Sequence, residues 1–325
     1  MVMTHHDFEK TANRWGRERL PFLFILDFEL EKPFALPLRS VDATGILYDV
    51  NGRTNAGPGP RLTKIDFFQL KALDPDDYRR KFSIVYDHLQ KGDSYLTNLT
   101  IRSEITQDVS LQDIYFRSHA KYKLLMPDSF LVYSPEIFVQ TRDKMIFAYP
   151  MKGTIDAAIP GAREMILRDP KELAEHVTIV DLIRNDLSQV AVNVRVLRFR
   201  YVDKITTSHK KLLQVSSEIA GDLPDTFPDN IGTLLMTLLP AGSVTGAPKP
   251  RTAEIIRMAE GEKRGYYTGV FGIFDGENID SGVMIRFIEK ENGTLYYRSG
   301  GGITTRSNCE TEYQEALDKI YVPVN

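Results

Sequence analysis

Residues 269–287, with the sequence GVFGIFDGENIDSGVMIRF, decide the fold class of this 325-residue chain. Two runs rich in β-branched and aromatic residues, 269–275 and 279–287, flank the turn sequence Asp275-Gly276-Glu277-Asn278. Such runs favour extended strands, and an Asp-Gly turn between them is typical of a β-hairpin. The stretch therefore predicts a pair of antiparallel strands.

Further strands are predicted from the same enrichment, and they come in runs with helices between the runs. The predicted strands are 21–30, 45–50, 94–102, 130–133, 137–142, 144–149, 192–201 and 296–298. The predicted helices are 76–91, 162–186, 231–238, 248–260 and 309–321, and a loop rich in Gly, Pro and Asn is predicted at 51–60. This order favours an α+β fold with largely antiparallel sheets over a Rossmann-type fold.

The composition excludes several classes of protein. Hydrophobic residues make up 42% of the chain and charged residues 26%, which is ordinary for a globular protein. The length fits two domains or one large core. Since 41 basic and 44 acidic residues leave a net charge of −3, nucleic-acid binding, which needs a basic excess, is not favoured.

The cellular compartment is predicted from cysteine usage and from the N-terminal sequence. Cys309 is the only cysteine, so an internal disulfide or a cysteine zinc cage is excluded. The first residues lack the pattern of a signal peptide, and the apolar run 22–26 is too short to span a bilayer. We therefore expect a cytoplasmic protein without a membrane partner.

Two acidic pairs, Glu172 with Glu175 and Glu312 with Glu315, are candidates for a metal site. Each pair is spaced three residues apart in a predicted helix, so its members share a helix face. Four carboxylates on two facing helices would suit Mg²⁺ and would suit zinc poorly. The alternative is that both pairs lie on solvated helix faces, and spacing alone does not decide between these readings.

Two glycine-rich stretches are candidates for anion binding. Gly242-Ser-Val-Thr-Gly-Ala-Pro-Lys249 enters a predicted helix, and Gly300-Gly301-Gly302 precedes another. Backbone N–H groups in such loops can bind a carboxylate or a phosphate. Neither stretch is a Walker A or dinucleotide motif, and both could equally be tight turns and helix caps.

Lys152 and Glu136 could carry acid–base or nucleophilic chemistry. Lys152 lies at an expected strand end in Pro150-Met-Lys-Gly-Thr154. It could be a nucleophile only if its pKa fell from about 10.4 towards neutrality, and it could equally be a surface cation. Glu136 could be a general acid if its pKa were raised. Asp181–Asp186 is interpreted as a structural network of salt bridges and caps.

Taken together, these segments resemble the chorismate-utilising enzymes, which include aminodeoxychorismate synthase component I, anthranilate synthase component I, isochorismate synthase and salicylate synthase. The matching stretches follow the family order from about residue 75 to the C-terminus. They are 92–100, 134–136, 150–154, 175–186, 240–249, 267–269, 285–286, 300–303 and the helix 312–319.

The resemblance implies a fold of two large antiparallel β-sheets packed as a sandwich, with helices outside. It implies a single chorismate-binding catalytic domain over 1–325, whose N-terminal region, about 1–75, is shortened. Glu175 and Glu315 look like the direct Mg²⁺ ligands, with Glu172 and Glu312 supporting them.

The resemblance also implies the substrate contacts. Mg²⁺ and the backbone of Gly153 and Thr154 would hold the ring carboxylate of chorismate. Arg286 and Tyr267 look like the clamp on the enolpyruvyl carboxylate, because arginine can grip a carboxylate with two hydrogen bonds. The predicted substrate-binding residues in the two glycine-rich stretches are Thr245, Gly300, Gly301 and Gly302.

Three positions favour the aminodeoxychorismate synthase branch. Lys152 stands where anthranilate synthases usually carry Ala, and in the branch with Lys it is proposed to attack C2 of chorismate, with Glu136 protonating the departing C4 hydroxyl. Leu96 stands where the isochorismate-forming relatives place a water-activating lysine, and the amine-transferring relatives usually carry Gln there. Gln214 stands where the anthranilate branch has a His that assists pyruvate elimination.

The implied product is 4-amino-4-deoxychorismate, a precursor of 4-aminobenzoate in folate biosynthesis. Cys309 does not lie in a nucleophile elbow, so ammonia is expected from solution or from a separate glutamine amidotransferase subunit. Anthranilate synthase and, less favoured, isochorismate synthase remain alternatives. A catalytically inactive binding paralogue is an alternative of a different class.

Overall fold

The computed structural model of the protein describes residues 2–59, 69–206 and 211–322. The α-helices of these residues are α1 (His5–Arg17), α2 (Pro75–Gln90), α3 (Leu111–Arg117), α4 (Ala162–Arg168), α5 (Pro170–Leu187), α6 (Ile231–Leu238), α7 (Gly242–Thr245), α8 (Lys249–Glu260) and α9 (Cys309–Asp318). None of the helices in the described ranges is long and apolar enough to cross a membrane.

The strands of the same ranges form two sheets. They are β1 (Phe22–Leu26), β2 (Phe34–Pro37), β3 (Leu47–Val50), β4 (Arg53–Thr54), β5 (Leu70–Lys71), β6 (Leu96–Ile105), β7 (Tyr122–Met126), β8 (Phe130–Ser134), β9 (Ile137–Arg142), β10 (Met145–Ala148), β11 (Met151–Asp156), β12 (Val192–Thr206), β13 (Lys211–Asp222), β14 (Gly246–Ala247), β15 (Val270–Phe274), β16 (Ile279–Val283), β17 (Phe287–Glu291) and β18 (Thr294–Ile303).

Both sheets are antiparallel. The first sheet has the order β11-β13-β10-β9-β16-β15-β1-β2, with β12 paired to β13. The second sheet has the order β14-β6-β18-β17-β8-β7-β3-β4, with β5 paired to β6. The predicted hairpin is β15–β16, in which Val270 pairs with Val283 and Phe274 pairs with Ile279.

The two sheets pack face to face with helices outside. A buried cluster between them joins Ile25 and Phe271 of the first sheet to Tyr122, Val132 and Phe287 of the second. Helices α1, α5 and α6 pack on the outer side of the first sheet, and α2, α8 and α9 pack against β6 and β18 of the second. The predicted fold, an α+β sandwich of two large antiparallel sheets, is confirmed.

The single helix predicted over 162–186 was wrong, because the chain forms two helices there. Helix α4 ends at Arg168, and Asp169 adopts an extended conformation with ψ of 118°. Pro170 then opens α5. A proline disfavours the helical conformation in the residue before it, and the Asp169 carboxylate accepts a hydrogen bond from the Glu172 N–H at 3.1 Å.

The description of Gly300–Gly302 as a turn was also wrong, because all three glycines lie inside β18. Gly300 pairs with Thr100 and Gly302 with Asn98 of β6. A Cβ added at Gly300 would lie 2.3 Å from the Leu99 carbonyl oxygen. Close approach of two backbones is therefore what requires glycine here.

The predictions omitted several elements and misplaced other boundaries. The missed elements include α1, α3, β7 and β13. The predicted loop 51–60 contains the short strand β4, and residue 60 lies outside the described residues. The helix predicted over 309–321 ends at Asp318.

A fully buried ion pair ties the second sheet to the chain segments around α7 and α8. Arg264 and Glu260 are 2.6 Å apart, with side-chain exposures of 0% and 1%. The Arg264 guanidinium donates to the carbonyl oxygens of Val244 (2.8 Å) and Asn98 (2.7 Å). The Glu260 carboxylate accepts from both the N–H and the hydroxyl of Thr100.

We expect Glu260→Gln to lower the free energy of unfolding by about 3–5 kcal/mol, because it leaves the buried Arg264 charge without its counter-ion. Lys263→Ala is the matched control, since the Lys263–Glu31 pair is exposed and such pairs contribute at most about 1 kcal/mol. Urea unfolding measures both values. Equal losses in the two variants would show that the buried pair is not a special contributor to stability.

Candidate functional site

Lys152 is the second residue of β11 and extends its amine towards α5. The pairing of β11 with β13 shifts between Met151 and Thr154, and Gly153 lies inside this irregularity with φ of +81°. The Lys152 ammonium donates to Glu175 Oε2 at 3.1 Å, and the two side chains are 25% and 11% exposed. The sequence-predicted residues Lys152 and Glu175 are therefore in direct contact.

The charge of Lys152 is stabilised by the surrounding carboxylates. Burial alone would lower the pKa of Lys152, but the negative charges of Glu175, Glu315 and Glu172 outweigh burial and raise the pKa above its usual value. The amine is therefore an ammonium ion in this arrangement. A nucleophilic lysine needs the opposite shift, so the role predicted for Lys152 requires that it lose a proton during the reaction.

The other predicted metal ligands lie around the same point. Gly153 lies against Glu172, because a Cβ at Gly153 would be 2.7 Å from Glu172 Oε2. A Cβ at Gly301 would be 3.7 Å from Glu315 Oε1 and 3.8 Å from Glu312 Oε2. Helices α5 and α9 face each other across β11 and β18. All four glutamates therefore lie on one side of the sandwich.

The donor chemistry of this carboxylate set fits Mg²⁺, which prefers oxygen ligands. In residues 2–59, 69–206 and 211–322, however, no three His, Cys, Asp or Glu side chains are grouped closely enough to hold a metal ion. The Lys152 ammonium occupies the position next to Glu175, and Glu312 accepts a hydrogen bond from the Ser307 hydroxyl at 2.7 Å. The metal-binding roles of these glutamates remain predictions.

Glu136 lies between β8 and β9, and the charges of Lys152, Arg286 and Lys319 act on it. We call the space among these four side chains the cleft. Its Oε1 accepts a hydrogen bond of 2.5 Å from the Ser243 hydroxyl, which α7 supplies. Burial raises the pKa of Glu136, while Ser243 and the cations Lys152, Arg286 and Lys319 partly oppose that rise. A small cavity of about 30 Å³ adjoins this pair. A carboxyl group with a raised pKa can donate a proton, as the prediction for Glu136 requires.

Two further cations, Arg286 and Lys319, lie at the cleft. Arg286 lies between β16 and β17 with φ of 54°, and its Nη2 is 3.5 Å from the Tyr321 hydroxyl. Lys319, at the end of α9, donates to the Gly300 carbonyl at 2.9 Å and pairs with Glu315 at 2.7 Å. Burial lowers the pKa of Lys319, and the nearby Lys152 and Arg286 charges lower it further.

Other predicted residues have structural contacts of their own. Thr245 is buried and its hydroxyl donates to the Ala241 carbonyl at 2.8 Å within α7. Thr154 is exposed on β11 and pairs with Gln214 of β13. Tyr267 is buried against Phe287, with ring centroids 5.7 Å apart, and burial raises its pKa. The substrate contacts predicted for Thr245, Thr154 and Tyr267 stay predictions.

Leu96 lines the cleft beside Lys152. A Cβ at Gly302 would lie 3.0 Å from Leu96 Cδ1 and 3.2 Å from Lys152 Nζ. Leu96 also packs with Ile179 and Leu182 of α5. The wall next to the Lys152 amine is therefore apolar at this position.

Three residues of the site were not predicted from the sequence, namely Lys319, Ser243 and His176. Lys319 follows Glu315 by four residues, so helical spacing could have grouped it with the acidic pair. His176 is buried beside Glu175, and its Nε2 is 2.7 Å from the Ser217 hydroxyl. Burial, with the charges of Arg200 and Lys152, lowers the pKa of His176 to about 4, so its imidazole is neutral at neutral pH.

The structural interpretation of Asp181–Asp186 agrees with two ion pairs, of which the first joins Arg184 to Asp181 at 3.3 Å. The Asp186 carboxylate and the Lys249 ammonium are 2.8 Å apart and nearly buried. The Lys249 ammonium also donates to the Leu238 carbonyl at 2.8 Å. This pair joins α5 to the start of α8.

Comparisons with known proteins agree with the geometry. Residues 46–325 match the profile of the chorismate binding enzyme family. An uncharacterized PabA-like protein of Haemophilus influenzae is 48% identical over 321 residues, covering 99% of this chain and 98% of that protein. Aminodeoxychorismate synthase component 1 of Escherichia coli is 32% identical over 262 residues, covering 75% of this chain but only 56% of that protein.

Solved structures share the fold. Anthranilate synthase component I of Streptococcus pneumoniae superposes with a TM-score of 0.66 at 26% identity, covering 78% of this chain and 59% of that one. A putative 2,3-dihydroxybenzoate-specific isochorismate synthase of Bacillus anthracis superposes with a TM-score of 0.72 at 19% identity, covering 98% and 89% of the two chains. Because the sequence identity is only 19%, the similarity to the isochorismate synthase concerns the fold alone.

The Ser243–Glu136 contact yields a prediction on protonation. Because the Ser243 hydroxyl lowers the pKa of Glu136, Ser243→Ala should raise that pKa further and keep the carboxyl protonated to higher pH. Ser243→Thr keeps a hydroxyl and should leave the pKa close to that of the unaltered protein. Carbon-13 NMR titration of the Glu136 carboxyl measures the shift, and an unchanged midpoint in Ser243→Ala would contradict the hydrogen bond.

Proposed function

Because the chain belongs to the chorismate-binding enzyme family, we propose that it replaces the C4 hydroxyl of chorismate with ammonia. The product would be 4-amino-4-deoxychorismate, and the reaction would depend on Mg²⁺. The observation that carries the proposal is the position of Lys152, whose ammonium lies in the cleft with Glu175 and close enough to Glu136 to affect its pKa.

The charges of the cleft suit a dianionic substrate. Lys152, Arg286 and Lys319 all act electrostatically on Glu136. Three cations therefore lie close to the candidate acid. Arg286 can grip a carboxylate through two parallel hydrogen bonds, whereas a lysine acts as a point charge. Chorismate offers one carboxylate to Arg286 and a second to the side of the cleft where the glutamates lie.

The glutamates are the proposed Mg²⁺ site. Glu175 and Glu315 would hold the ion directly, with Glu172 and Glu312 supporting them. When bound, the ion would offset the negative charge of the glutamates and attract the ring carboxylate of the substrate. The backbone of Gly153 lies against Glu172. Its N–H group would donate a hydrogen bond to the ring carboxylate of the substrate.

Lys152 and Glu136 would carry the chemistry. Lys152 would first release one proton to solvent, and its neutral amine would then form a bond to C2. The ring double bonds shift, and the C4–O bond breaks while Glu136 gives its proton to the departing hydroxyl. Water leaves. Ammonia then bonds to C4, the double bonds shift back, and the C2–N bond to Lys152 breaks. The amine is regenerated, and Glu136 regains a proton from the new ammonium group or from solvent.

The neighbouring residues disfavour the alternative reactions. Leu96 cannot accept a proton, so it cannot activate water as the isochorismate-forming relatives require. Gln214 is a poor proton shuttle, so elimination of pyruvate to an aromatic product should be absent. Anthranilate synthase component I is the second candidate, since a component 1 from Cereibacter sphaeroides is 37% identical over 194 residues.

The supply of ammonia is the next element of the proposal. We infer a glutamine amidotransferase as the partner subunit. The name of the Escherichia coli relative, aminodeoxychorismate synthase component 1, indicates a synthase with more than one component. The name PabA-like, which the Haemophilus relative carries, is compatible with this pathway. Both components would act in the cytoplasm, in the formation of 4-aminobenzoate for folate.

The first test is the identity of the product. Incubation with chorismate, Mg²⁺ and ammonium should give a species one mass unit lighter than chorismate, because a hydroxyl is replaced by an amino group. 4-Aminobenzoate should appear only after an aminodeoxychorismate lyase is added. Strong anthranilate fluorescence without the lyase would instead support the second candidate, and no turnover at all would support an inactive binding paralogue.

The second test addresses Lys152. We expect Lys152→Ala to lower ammonia-dependent turnover at least about 100-fold, which is the lower range for loss of one catalytic group. Lys144→Ala is the matched control, since Lys144 is a surface lysine with 71% exposure paired to Asp225. Mass spectrometry of protein quenched after mixing with chorismate and Mg²⁺ without ammonia should show chorismate, less water, attached to residue 152. Unchanged turnover in Lys152→Ala would rule out the covalent step.

A further inference from the structure

Three tyrosines lie close to the Arg286 side chain, and none of these contacts was predicted from the sequence. Its guanidinium carbon is 4.9 Å from the centroid of the Tyr321 ring, and its Nη2 is 3.5 Å from the Tyr321 hydroxyl. Tyr133 and Tyr297 are the other two tyrosines that act on its charge. Tyr321 is thus the side chain whose ring and hydroxyl both contact the guanidinium.

The chain segment that carries Tyr321 is anchored through its main chain. The Tyr133 hydroxyl donates to the Tyr321 carbonyl at 3.1 Å. The Tyr297 hydroxyl lies 3.2 Å from the same carbonyl and 3.1 Å from the Lys319 carbonyl. These anchors use carbonyl oxygens, so they do not require the Tyr321 side chain.

One edge of the Arg286 guanidinium is left for a ligand. Within the described part of the chain, the buried Nε of Arg286 has no hydrogen-bond partner. A buried donor without an acceptor costs about 1–3 kcal/mol. A carboxylate that bonds to the Nε–H and to an N–H of the adjacent terminal nitrogen would satisfy this edge, and the Tyr321 hydroxyl lies 3.5 Å from Nη2.

We propose that Tyr321 is a positioning residue that fixes the plane of the Arg286 guanidinium for gripping a carboxylate of the substrate. The ring supports the guanidinium through a cation–π contact, and the hydroxyl orients Nη2. Tyr321 is 39% exposed, so its side chain reaches solvent while its ring contacts Arg286. The proposal rests on the proposed function in one respect, namely that Arg286 contacts a carboxylate of chorismate.

Calorimetric titration with chorismate in the presence of Mg²⁺ tests this role on the full chain. Tyr321→Ala should weaken binding about 10-fold, which is the order expected for a partly desolvated cation–π contact. Tyr321→Phe keeps the ring and should recover most of the affinity. The matched control Tyr95→Ala, at an exposed tyrosine (68%), should bind normally. In turnover, Tyr321→Ala should raise KM while kcat changes less than about twofold.

A second comparison separates this role from a structural one and from the proposed function. Urea unfolding of Tyr321→Ala should stay cooperative with only a small loss of stability, because the carbonyl anchors of the segment remain and only the contacts of the Tyr321 side chain are removed. In an Arg286→Lys background, Tyr321→Ala should have little further effect on binding.

Normal binding by Tyr321→Ala, or losses that simply add in the double variant, would overturn the role of Tyr321 and leave the proposed function standing. Normal binding by Arg286→Lys would overturn the carboxylate clamp itself, and the role of Tyr321 with it.

Discussion

The Arg264–Glu260 ion pair is the interaction on which the geometry of the cleft depends. Its guanidinium holds the Asn98 carbonyl of β6 and the Val244 carbonyl of α7, and these two segments carry the cleft residues Leu96 and Ser243. A buried arginine keeps such contacts only while its counter-ion is present, because an unpaired charge in the interior is costly. The pair therefore sets the spacing between the second sheet, which supplies Gly300–Gly302, and α7, which orients Glu136.

A second constraint is the balance of charge around Lys152. The four glutamates of α5 and α9 lie near three cations, Lys152, Lys319 and Arg286, so these side chains together carry a net charge of −1 when Glu136 is protonated. A dianionic substrate would upset this balance, and a divalent cation would restore it. The same carboxylates that favour the Lys152 ammonium are thus the reason why substrate and Mg²⁺ would be expected to bind together.

Sequence patterns correctly predicted those helices and strands whose structure is determined within one segment of the chain. The β15–β16 hairpin and the bounds of α6 were predicted correctly because strand enrichment, a tight turn and helical spacing each lie within one segment. The glycines of β18 were misread because a glycine run signals equally a turn or a close approach of two strands, and only the pairing with β6 decides. Lys319 was missed because a lysine near a helix end is usually a C-terminal cation, and its contact with Gly300 depends on the tertiary fold.

The apolar wall beside Lys152 bears on the choice of nucleophile. Leu96 is 3% exposed and packs with Ile179 and Leu182, so this side of the cleft offers no group to orient or deprotonate water. Exclusion of water also strengthens each electrostatic contact in the cleft. Under the proposed mechanism, the same leucine would supply no general base for water at this position, which would favour ammonia as the nucleophile that attacks an intermediate on Lys152.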